Sequence, residues 1–283
     1  MSKRRTFDLK LEPDPCPDLE IELGPKSEGV GAWVPAEKHT LLAKLLGGTS
    51  GARAKFPNRA LIDPFCGPGR IQVKGESITR DGGALVAWRQ SLADGAPFTQ
   101  ILVGDLEPSR SAACAERLSA LNAPVERFTG PAVETVKQMV ARIPARALTL
   151  AYIDPYNLEF LSFAIIRTLA ALKRVDLLVH FSTMDLQRNV DLELDDKRAR
   201  FDDAAPGWRA HSKGLSKTQL SGAFFEYWRS KVRELGFTVS EEMPLVRAER
   251  SAPLYRLVFF SRHPLPNRIW GDVAKGRNMN LFD

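Results

Sequence analysis

The sequence contains few of the residues that build disulfide-bonded or metal-held folds. Its 283 residues include three cysteines, Cys16, Cys66 and Cys114, and four histidines, and all of these are widely spaced. An odd number of cysteines does not make a complete disulfide framework, and the wide spacing does not match the close spacing of zinc ligands. We therefore predict no metal site and a reducing, cytoplasmic location.

The sequence also lacks an apolar run of the ~18 residues that a membrane-spanning helix needs. Its basic start is followed by acidic residues and proline, and not by the apolar segment of a signal peptide. We expect neither membrane insertion nor export. The remaining composition is that of a globular protein, with 44% hydrophobic and 26% charged residues and a net charge of +6, which permits a polyanionic partner without requiring one.

Two segments differ from the rest of the chain. Residues 1–28 are rich in proline and charge and have no apolar periodicity, which indicates an extended N-terminal arm. Residues 29–283 read as one α/β domain, interrupted at about 191–222 by a charged insertion with little apolar pattern. The insertion is either a lid or recognition element or a solvated excursion.

Within the domain, short apolar strands alternate with helices. The first helix is expected to end at Gly47 and Gly48, and a long helix is expected over 158–172. Strands are predicted at 59–63, 101–104, 125–128, 148–153, 176–181, 238–246 and 254–261. Apolar strands joined by helices predict a mostly parallel seven-stranded sheet covered on both faces, and the last two strands predict an antiparallel hairpin at its edge.

A turn with two glycines follows the first predicted strand. Residues 63–69 read Asp-Pro-Phe-Cys-Gly-Pro-Gly and lie where open α/β sheets bind ligands. Gly67 and Gly69 let the backbone pass close to a ligand. A dinucleotide-binding turn would have glycine where this chain has Gln72, and Asp63 suits a cofactor with a cationic amino-acid end better than it suits a pyrophosphate.

Polar side chains end the second and fourth predicted strands. The carboxylate of Asp105 can accept both hydroxyl protons of a ribose, or it can serve as an acid at the start of the next helix. At the fourth strand, an oxygen of Asp154 or the carbonyl of Pro155 can accept hydrogen bonds from an amino group, and Tyr156 can stack on a target ring. Alternatively, these residues form an ordinary proline turn after the strand.

A polar group follows the fifth predicted strand, where side chains can reach a substrate. It consists of His180, Asp185, Arg188 and Asn189. The alternative is that Asp185 caps a helix and Arg188 is a surface residue.

These turns resemble motifs of amino-methyltransferases that act on nucleic acids. Residues 63–69 match the cofactor motif Asp-Pro-Phe-x-Gly-x-Gly, and residues 154–157 resemble the catalytic Asp-Pro-Pro-Tyr with one proline fewer and the aromatic residue one place early. The resemblance implies S-adenosylmethionine as cofactor. The cofactor-binding residues are then Asp63, Pro64, Phe65, Gly67, Gly69, Asp105 and Leu106. The catalytic residues are then Asp154, Pro155, Tyr156 and Asp185.

From about Trp33 onward the chain also resembles the three-Cys-motif partner family, a bacterial methyltransferase-like group found with a three-cysteine-motif protein. The resemblance rests on Trp33, Glu37 and Lys38 and on residues 63–70, 81–85, 152–158, 176–189 and 255–270. It implies a Rossmann-like class I methyltransferase fold and a three-cysteine-motif protein as partner.

Together these resemblances favour methyl transfer to an amino or hydroxyl group of a nucleic acid or nucleotide-like substrate. The net charge and the basic residues after Arg256 point to the same substrate class. Two alternatives remain open. One is a non-catalytic partner of the three-cysteine-motif protein, and the other is a metal-dependent nuclease or hydrolase that uses Asp63, Asp154 and Asp185.

Overall fold

A computed structural model describes residues 9–24, 26–194, 198–247 and 253–276. The α-helices within them are α1 (Thr40–Arg53), α2 (Gly83–Ala93), α3 (Pro108–Ala120), α4 (Ala132–Arg142), α5 (Phe163–Leu169), α6 (Thr183–Asn189), α7 (Trp208–His211), α8 (Lys217–Glu234) and α9 (Pro264–Ala274). The strands are β1 (Arg59–Asp63), β2 (Arg70–Gln72), β3 (Thr79–Asp81), β4 (Gln100–Asp105), β5 (Val125–Thr129), β6 (Leu148–Ile153), β7 (Val175–Phe181), β8 (Thr238–Val239), β9 (Leu245–Arg247) and β10 (Pro253–Ser261).

The main sheet has the order β5-β4-β1-β6-β7-β10-β8, and β9 pairs with β10 outside this path. The five strands from β5 to β7 are parallel. β10 runs antiparallel to β7, β8 and β9. The predicted fold class is therefore confirmed: this is a Rossmann-like methyltransferase fold with a mostly parallel sheet and antiparallel strands at its C-terminal end. The strand predicted at 238–246 is divided into β8 and β9, which both pair with β10, so the described sheet has eight strands and not seven.

The strands are apolar on both sides because helices cover both faces of the sheet. Leu61 of β1 faces a layer that contains α1, α2, α3 and α9. Its neighbour Ile62 faces a layer that contains α4, α5 and α8. Phe201 and Trp208, from the predicted insertion, are buried in the second layer. The apolar layers on the two faces of the sheet hold the strands in place. The carboxyl ends of these strands carry the predicted site residues.

Two predicted helix boundaries are wrong. The helix expected to end at Gly47 continues to Arg53 as α1, because Arg53 donates to the carbonyls of Leu46 and Ala96, both at 3.0 Å, and so supports the last turns. The helix expected over 158–172 is divided into a 3₁₀ turn and the shorter α5, since Ser162 caps α5 by accepting from the amide of Ala164 at 3.3 Å. Tertiary contacts and caps outweigh propensity at both places.

The part of the N-terminal arm that is described, residues 9–24 and 26–28, lies against the domain. Its Glu22 pairs with Ile71 in a parallel bridge beside the β2–β3 hairpin. Asp14 receives two hydrogen bonds, of 2.9 and 3.0 Å, from the guanidinium of Arg117, which is fully buried in α3. Arg117 also donates to the carbonyl of Pro68 at 2.7 Å. One buried cation thus ties the arm to the turn at 63–69.

No helix among the described residues is long and apolar enough to cross a lipid bilayer.

Candidate active site at the carboxyl ends of the parallel strands

The turn after β1 depends on glycine at two positions, where φ is 56° at Gly67 and 82° at Gly69. A Cβ atom on Gly69 would lie 2.9 Å from Leu85 Cδ1 and 3.1 Å from Cys114 Cα, so this glycine lets the turn pack on α2 and α3. A Cβ atom on Gly67 would meet only the end of the Arg110 side chain, at 3.3 Å, among the described residues within 4 Å. Gly69 therefore serves packing, whereas Gly67 borders space that a ligand can fill.

Asp105, at the end of β4, is held against this turn. Its Oδ2 accepts from the amide of Gly67 at 3.1 Å, and its Oδ1 accepts from the amide of Glu107 at 3.0 Å. Arg110 Nε lies 3.8 Å from Asp105 Oδ2, and the same guanidinium pairs with Glu22 of the arm. Each oxygen of Asp105 thus has one backbone donor, which leaves capacity for a further hydrogen bond.

Asp63 is almost fully buried below the turn, with 1% exposure, and its Oδ1 accepts from the amide of Phe65 at 3.1 Å. Burial raises the pKa of Asp63 well above its ordinary value, and the carboxylates of Asp154 and Asp105 add to the shift, which the amide of Phe65 and the charge of Lys38 only partly offset. Asp63 therefore favours its protonated form far more than an exposed carboxyl group would.

Asp154, at the end of β6, has partners for both carboxylate oxygens. Its Oδ2 is 2.6 Å from Lys38 Nζ and accepts from the Tyr152 hydroxyl at 3.2 Å. Its Oδ1 is 3.2 Å from Nδ1 of His180, which is also 3.1 Å from the carbonyl oxygen of Pro155. Burial opposes ionisation of Asp154, but the charge of Lys38, the neighbouring His180 and the hydrogen bond from Lys38 outweigh burial and lower its pKa. Asp154 is therefore an ionised carboxylate.

The aromatic ring of Tyr255 packs next to the imidazole of His180 and next to the ring of Trp33. The Tyr255 ring lies edge-on to His180, with 4.1 Å between centroids, and 5.2 Å from the ring of Trp33. Lys38 Nζ lies 6.0 Å from the centroid of the Tyr255 ring. We refer to these residues as the Lys38 cluster. Its members are Lys38, Tyr152, Asp154, His180 and Tyr255.

Several of the predicted site residues lie together at the carboxyl ends of the parallel strands, and others lie next to them in exposed or buried positions. Asp63, Gly67 and Asp105 lie around the turn, and the carbonyl of Pro155 lies within the Lys38 cluster. Tyr156 is 67% exposed. Leu106 is exposed, Pro64 is buried, and Phe65 is partly buried against the core.

The described hydrogen bonds of the Asp185 carboxylate go to residues outside the glycine turn and outside the Lys38 cluster. Its Oδ2 accepts from the amide of Leu158 at 2.9 Å, and its Oδ1 accepts from Asn189 Nδ2 at 2.7 Å. The carboxylate therefore joins α6 to the loop that carries Tyr156. Its assignment as a catalytic residue stays a prediction.

Sequence reasoning did not select Lys38, Tyr152 or Tyr255 as site residues. Lys38 and Asp154 are 116 positions apart, and no spacing rule links them. Lys38 lies in a π-helix, Val34–His39, a rare element that is frequent at functional sites. The resemblance to the three-Cys-motif partner family included Lys38 and the stretches around Tyr152 and Tyr255, and this was the one available signal.

A separate cavity of about 500 Å³ opens at the opposite edge of the sheet. It is lined mainly by apolar residues that include Leu46, Phe98 and Phe259, and it reaches Thr149 and Asp176 near the beginnings of β6 and β7. It therefore lies away from the strand ends that carry Asp63 and Asp154. Open α/β folds bind their ligands at the carboxyl ends of the strands, which is the edge of the glycine turn.

In the part of the chain that the structure describes, no three His, Cys, Asp or Glu side chains are grouped as metal ligands. The metal-dependent alternative, which needs Asp63, Asp154 and Asp185 together, thus has no ligand set there.

No family model matches the chain, and no curated protein matches it. Solved structures do match. The O-methyltransferase TomG from Streptomyces achromogenes, in complex with S-adenosylmethionine, is 12% identical over 77% of this chain and 78% of that chain, with a TM-score of 0.45. An O-methyltransferase from Bacillus cereus, in complex with S-adenosylhomocysteine, is 10% identical over 77% and 80%, with a TM-score of 0.43. Protein LPL1258 from Legionella pneumophila is 10% identical over 83% and 89%, with a TM-score of 0.49. At such identities the similarity concerns the fold.

Proposed function

We propose that this chain is an S-adenosylmethionine-dependent methyltransferase that modifies an amino or hydroxyl group of a nucleic acid or nucleotide-like substrate. The observation that carries the proposal is the turn at 63–69. Its Gly67 borders space that a ligand can fill and lies directly beside the carboxylate of Asp105 at the end of the neighbouring strand.

The residues around the turn fit the chemistry of this cofactor. Asp105 has acceptor capacity left for the ribose hydroxyls, because each of its oxygens has a single backbone donor. Asp63 is a buried carboxyl group, and a cationic amino group beside it would stabilise its ionised form. When bound, S-adenosylmethionine supplies an electrophilic methyl group, and the residues of the chain hold the cofactor and the acceptor in position.

The acceptor side of the proposed site is the Lys38 cluster and the exposed ring of Tyr156. A largely exposed aromatic ring at a strand end is suited to stacking on a base, and the net charge of +6 favours an anionic substrate. We further propose, from the family resemblance alone, that a three-cysteine-motif protein is a partner of the chain.

Gly67→Val is the variant that tests cofactor binding. We expect its affinity for S-adenosylmethionine to fall by roughly 100-fold or more, about 2.8 kcal/mol, because a branched side chain would fill the space beside Asp105. Gly75→Val is the matched control, since Gly75 also has positive φ, 81°, and a Cβ atom at this position would have no described atom within 4 Å. Isothermal titration calorimetry measures the affinity of both variants for S-adenosylmethionine. Equal affinity of the two variants and the wild type would contradict the cofactor assignment.

Proton release on cofactor binding tests the role of Asp63. A cationic group placed beside Asp63 favours the carboxylate, so binding is expected to expel its proton, and cofactor affinity is expected to rise with pH over the range in which Asp63 titrates. Calorimetry in buffers of different ionisation enthalpy measures the released proton. Asp63→Asn should remove the release, and a wild-type affinity that does not change with pH would rule out this role.

A further inference from the structure

The hydrogen bonds around His180 determine which of its nitrogens carries hydrogen. Nδ1 faces two oxygens, Oδ1 of ionised Asp154 at 3.2 Å and the carbonyl of Pro155 at 3.1 Å. Both oxygens can only accept, so Nδ1 is the donor. Burial lowers the pKa of His180 to about 4, and Lys38 adds to the shift, while Asp154 and the Pro155 carbonyl oppose it. The ring is therefore neutral at physiological pH, and Nε2 holds a lone pair.

Nε2 of His180 is buried and makes no hydrogen bond to any described residue. The hydroxyl of Tyr255, whose ring packs edge-on against the imidazole, is in the same state. Buried polar atoms in native proteins nearly always have a partner, and a group bound between these two atoms would supply one to both. A hydroxyl or amino group can donate to one of them and accept from the other, and both are acceptor types of the proposed reaction.

The other members of the Lys38 cluster are unsuited to take a proton. Lys38 is a cation bound to Asp154, and Tyr152 donates its hydroxyl to the same carboxylate. Both oxygens of Asp154 already have donors. Within the cluster, His180 Nε2 and the Tyr255 hydroxyl are the atoms without a partner among the described residues, and a neutral imidazole is a far stronger base than a phenol hydroxyl.

We propose that His180 is the catalytic base of the methyl transfer, with Nε2 receiving the proton of the acceptor while Asp154 and the Pro155 carbonyl fix the Nδ1 hydrogen. This inference rests on the proposed function. The acceptor oxygen or nitrogen gains the methyl group and gives its proton to Nε2, and the electron pair of the broken sulfur–methyl bond stays on sulfur. Asp154 offsets the charge of the imidazolium that forms, and the proton then leaves to solvent.

A weakly basic histidine is sufficient for this step. The acceptor becomes strongly acidic as it bonds to the methyl group, so its proton moves readily to a base of low pKa. The neutral state of His180 is then an advantage, because its lone pair is available at physiological pH. Tyr255 would orient the acceptor through its hydroxyl and is a second, weaker contributor.

The tautomer of His180 is the first test, and it requires no substrate. The protein labelled with ¹⁵N-histidine has four histidines, and the His180→Gln variant identifies the signals of His180 in long-range ¹H–¹⁵N correlation spectra. We expect a neutral ring with hydrogen on Nδ1 at physiological pH, which changes only in acid. A ring with hydrogen on Nε2, or an imidazolium at neutral pH, overturns the proposal.

The second test separates this inference from the proposed function. The wild type and each variant are incubated with methyl-labelled S-adenosylmethionine and fractionated RNA, DNA and small metabolites. The dissociation constant of each protein for S-adenosylmethionine is measured in parallel. We expect His180→Gln to reduce transfer by about 100-fold or more with an unchanged dissociation constant, and Tyr255→Phe to reduce it less. His211→Gln, at an exposed position on α7, is the matched control and should transfer like the wild type.

The outcomes differ for the two proposals. If the cofactor binds and transfer by His180→Gln equals that of the wild type, His180 is not the base, although the proposed function stands. If the wild type does not bind the cofactor, the proposed function itself fails. Free imidazole should restore part of the activity of His180→Ala, which a purely structural role of the ring would not produce.

Discussion

Replacing Arg117 with methionine is expected to lower the free energy of unfolding by about 3–5 kcal/mol, the range for breaking a buried ion pair from one side. Arg117 is fully buried and donates to Asp14 and to the carbonyls of Pro68 and Glu20. Its removal takes away the cation that hydrogen-bonds to the Asp14 carboxylate, which has 9% exposure, and leaves only Arg70 Nε, 3.7 Å from Asp14 Oδ2, to offset its charge among the described residues. Urea unfolding followed by tryptophan fluorescence measures the change.

Two variants give this prediction its control. Arg110→Met lies on the same helix at a position with 30% exposure and should cost no more than about 1 kcal/mol. Arg117→Lys keeps the charge but loses the planar fork of donors, so it should fall between wild type and Arg117→Met. A cost for Arg117→Met as small as that for Arg110→Met would show that the arm is not held by this cation.

The same ion pair gives stability a pH dependence with a definite sign. Burial opposes ionisation of Asp14, but the hydrogen bonds from Arg117 and from the amide of Cys16 outweigh it and lower the pKa of Asp14. A carboxyl group with a lowered folded-state pKa stabilises the fold at neutral pH, and its contribution is lost as the pH falls toward that lowered value. Arg117→Met should therefore lose less stability in acid than the wild type.

Replacing Asp154 with alanine is expected to reduce methyl transfer by about 1,000-fold while the affinity for S-adenosylmethionine stays close to that of the wild type. Asp154 binds Lys38 and orients His180, and these contacts belong to the proposed acceptor side. Interactions that act mainly in the transition state change the rate more than they change binding of the cofactor. The measurement is transfer of labelled methyl groups to fractionated RNA, DNA and small metabolites, with calorimetry of the cofactor.

The variant could lose activity because the fold is damaged, since Lys38 has 11% side-chain exposure and would lack its counter-ion. The double variant Lys38→Met, Asp154→Leu removes both charges and is the matched control for this effect. It should regain the stability of the wild type without regaining activity. Equal labelling by Asp154→Ala and the wild type would reject the role of Asp154. Cofactor binding with no labelled acceptor at all would instead favour the non-catalytic alternative.

The sequence was sufficient to predict the strands that carry the site. The boundaries of β1 and β6 match the predicted 59–63 and 148–153, because each is an apolar run that stops at an Asp-Pro turn. Asp105 and Asp154 lie at strand ends and Gly67 lies in the turn after β1, as their positions after the apolar runs indicated. These features depend on the order of apolar and turn residues over a few positions, and this order can be read from a single sequence.

The partners of these residues could not be predicted in the same way. Lys38 reaches Asp154 from an irregular π-helix, and Tyr255 reaches His180 from a strand that runs in the opposite direction. Such contacts depend on how layers of the fold meet, which no periodicity encodes. For the same reason the β2–β3 hairpin and α9 were not predicted, although both are short and regular.

The bridge between Asp14 and Arg117 also has a consequence for the order of folding. The two residues are 103 positions apart, so the arm leaves the ribosome long before its partner helix is made. Closing a loop of this length costs chain entropy that is recovered only when α3 is already in place against the sheet. The arm should therefore dock late, after the parallel strands have paired. Because Arg117 then also fixes the Pro68 carbonyl, the glycine turn reaches its final shape in the same late step. A newly made chain would have a folded core before it has a finished binding site.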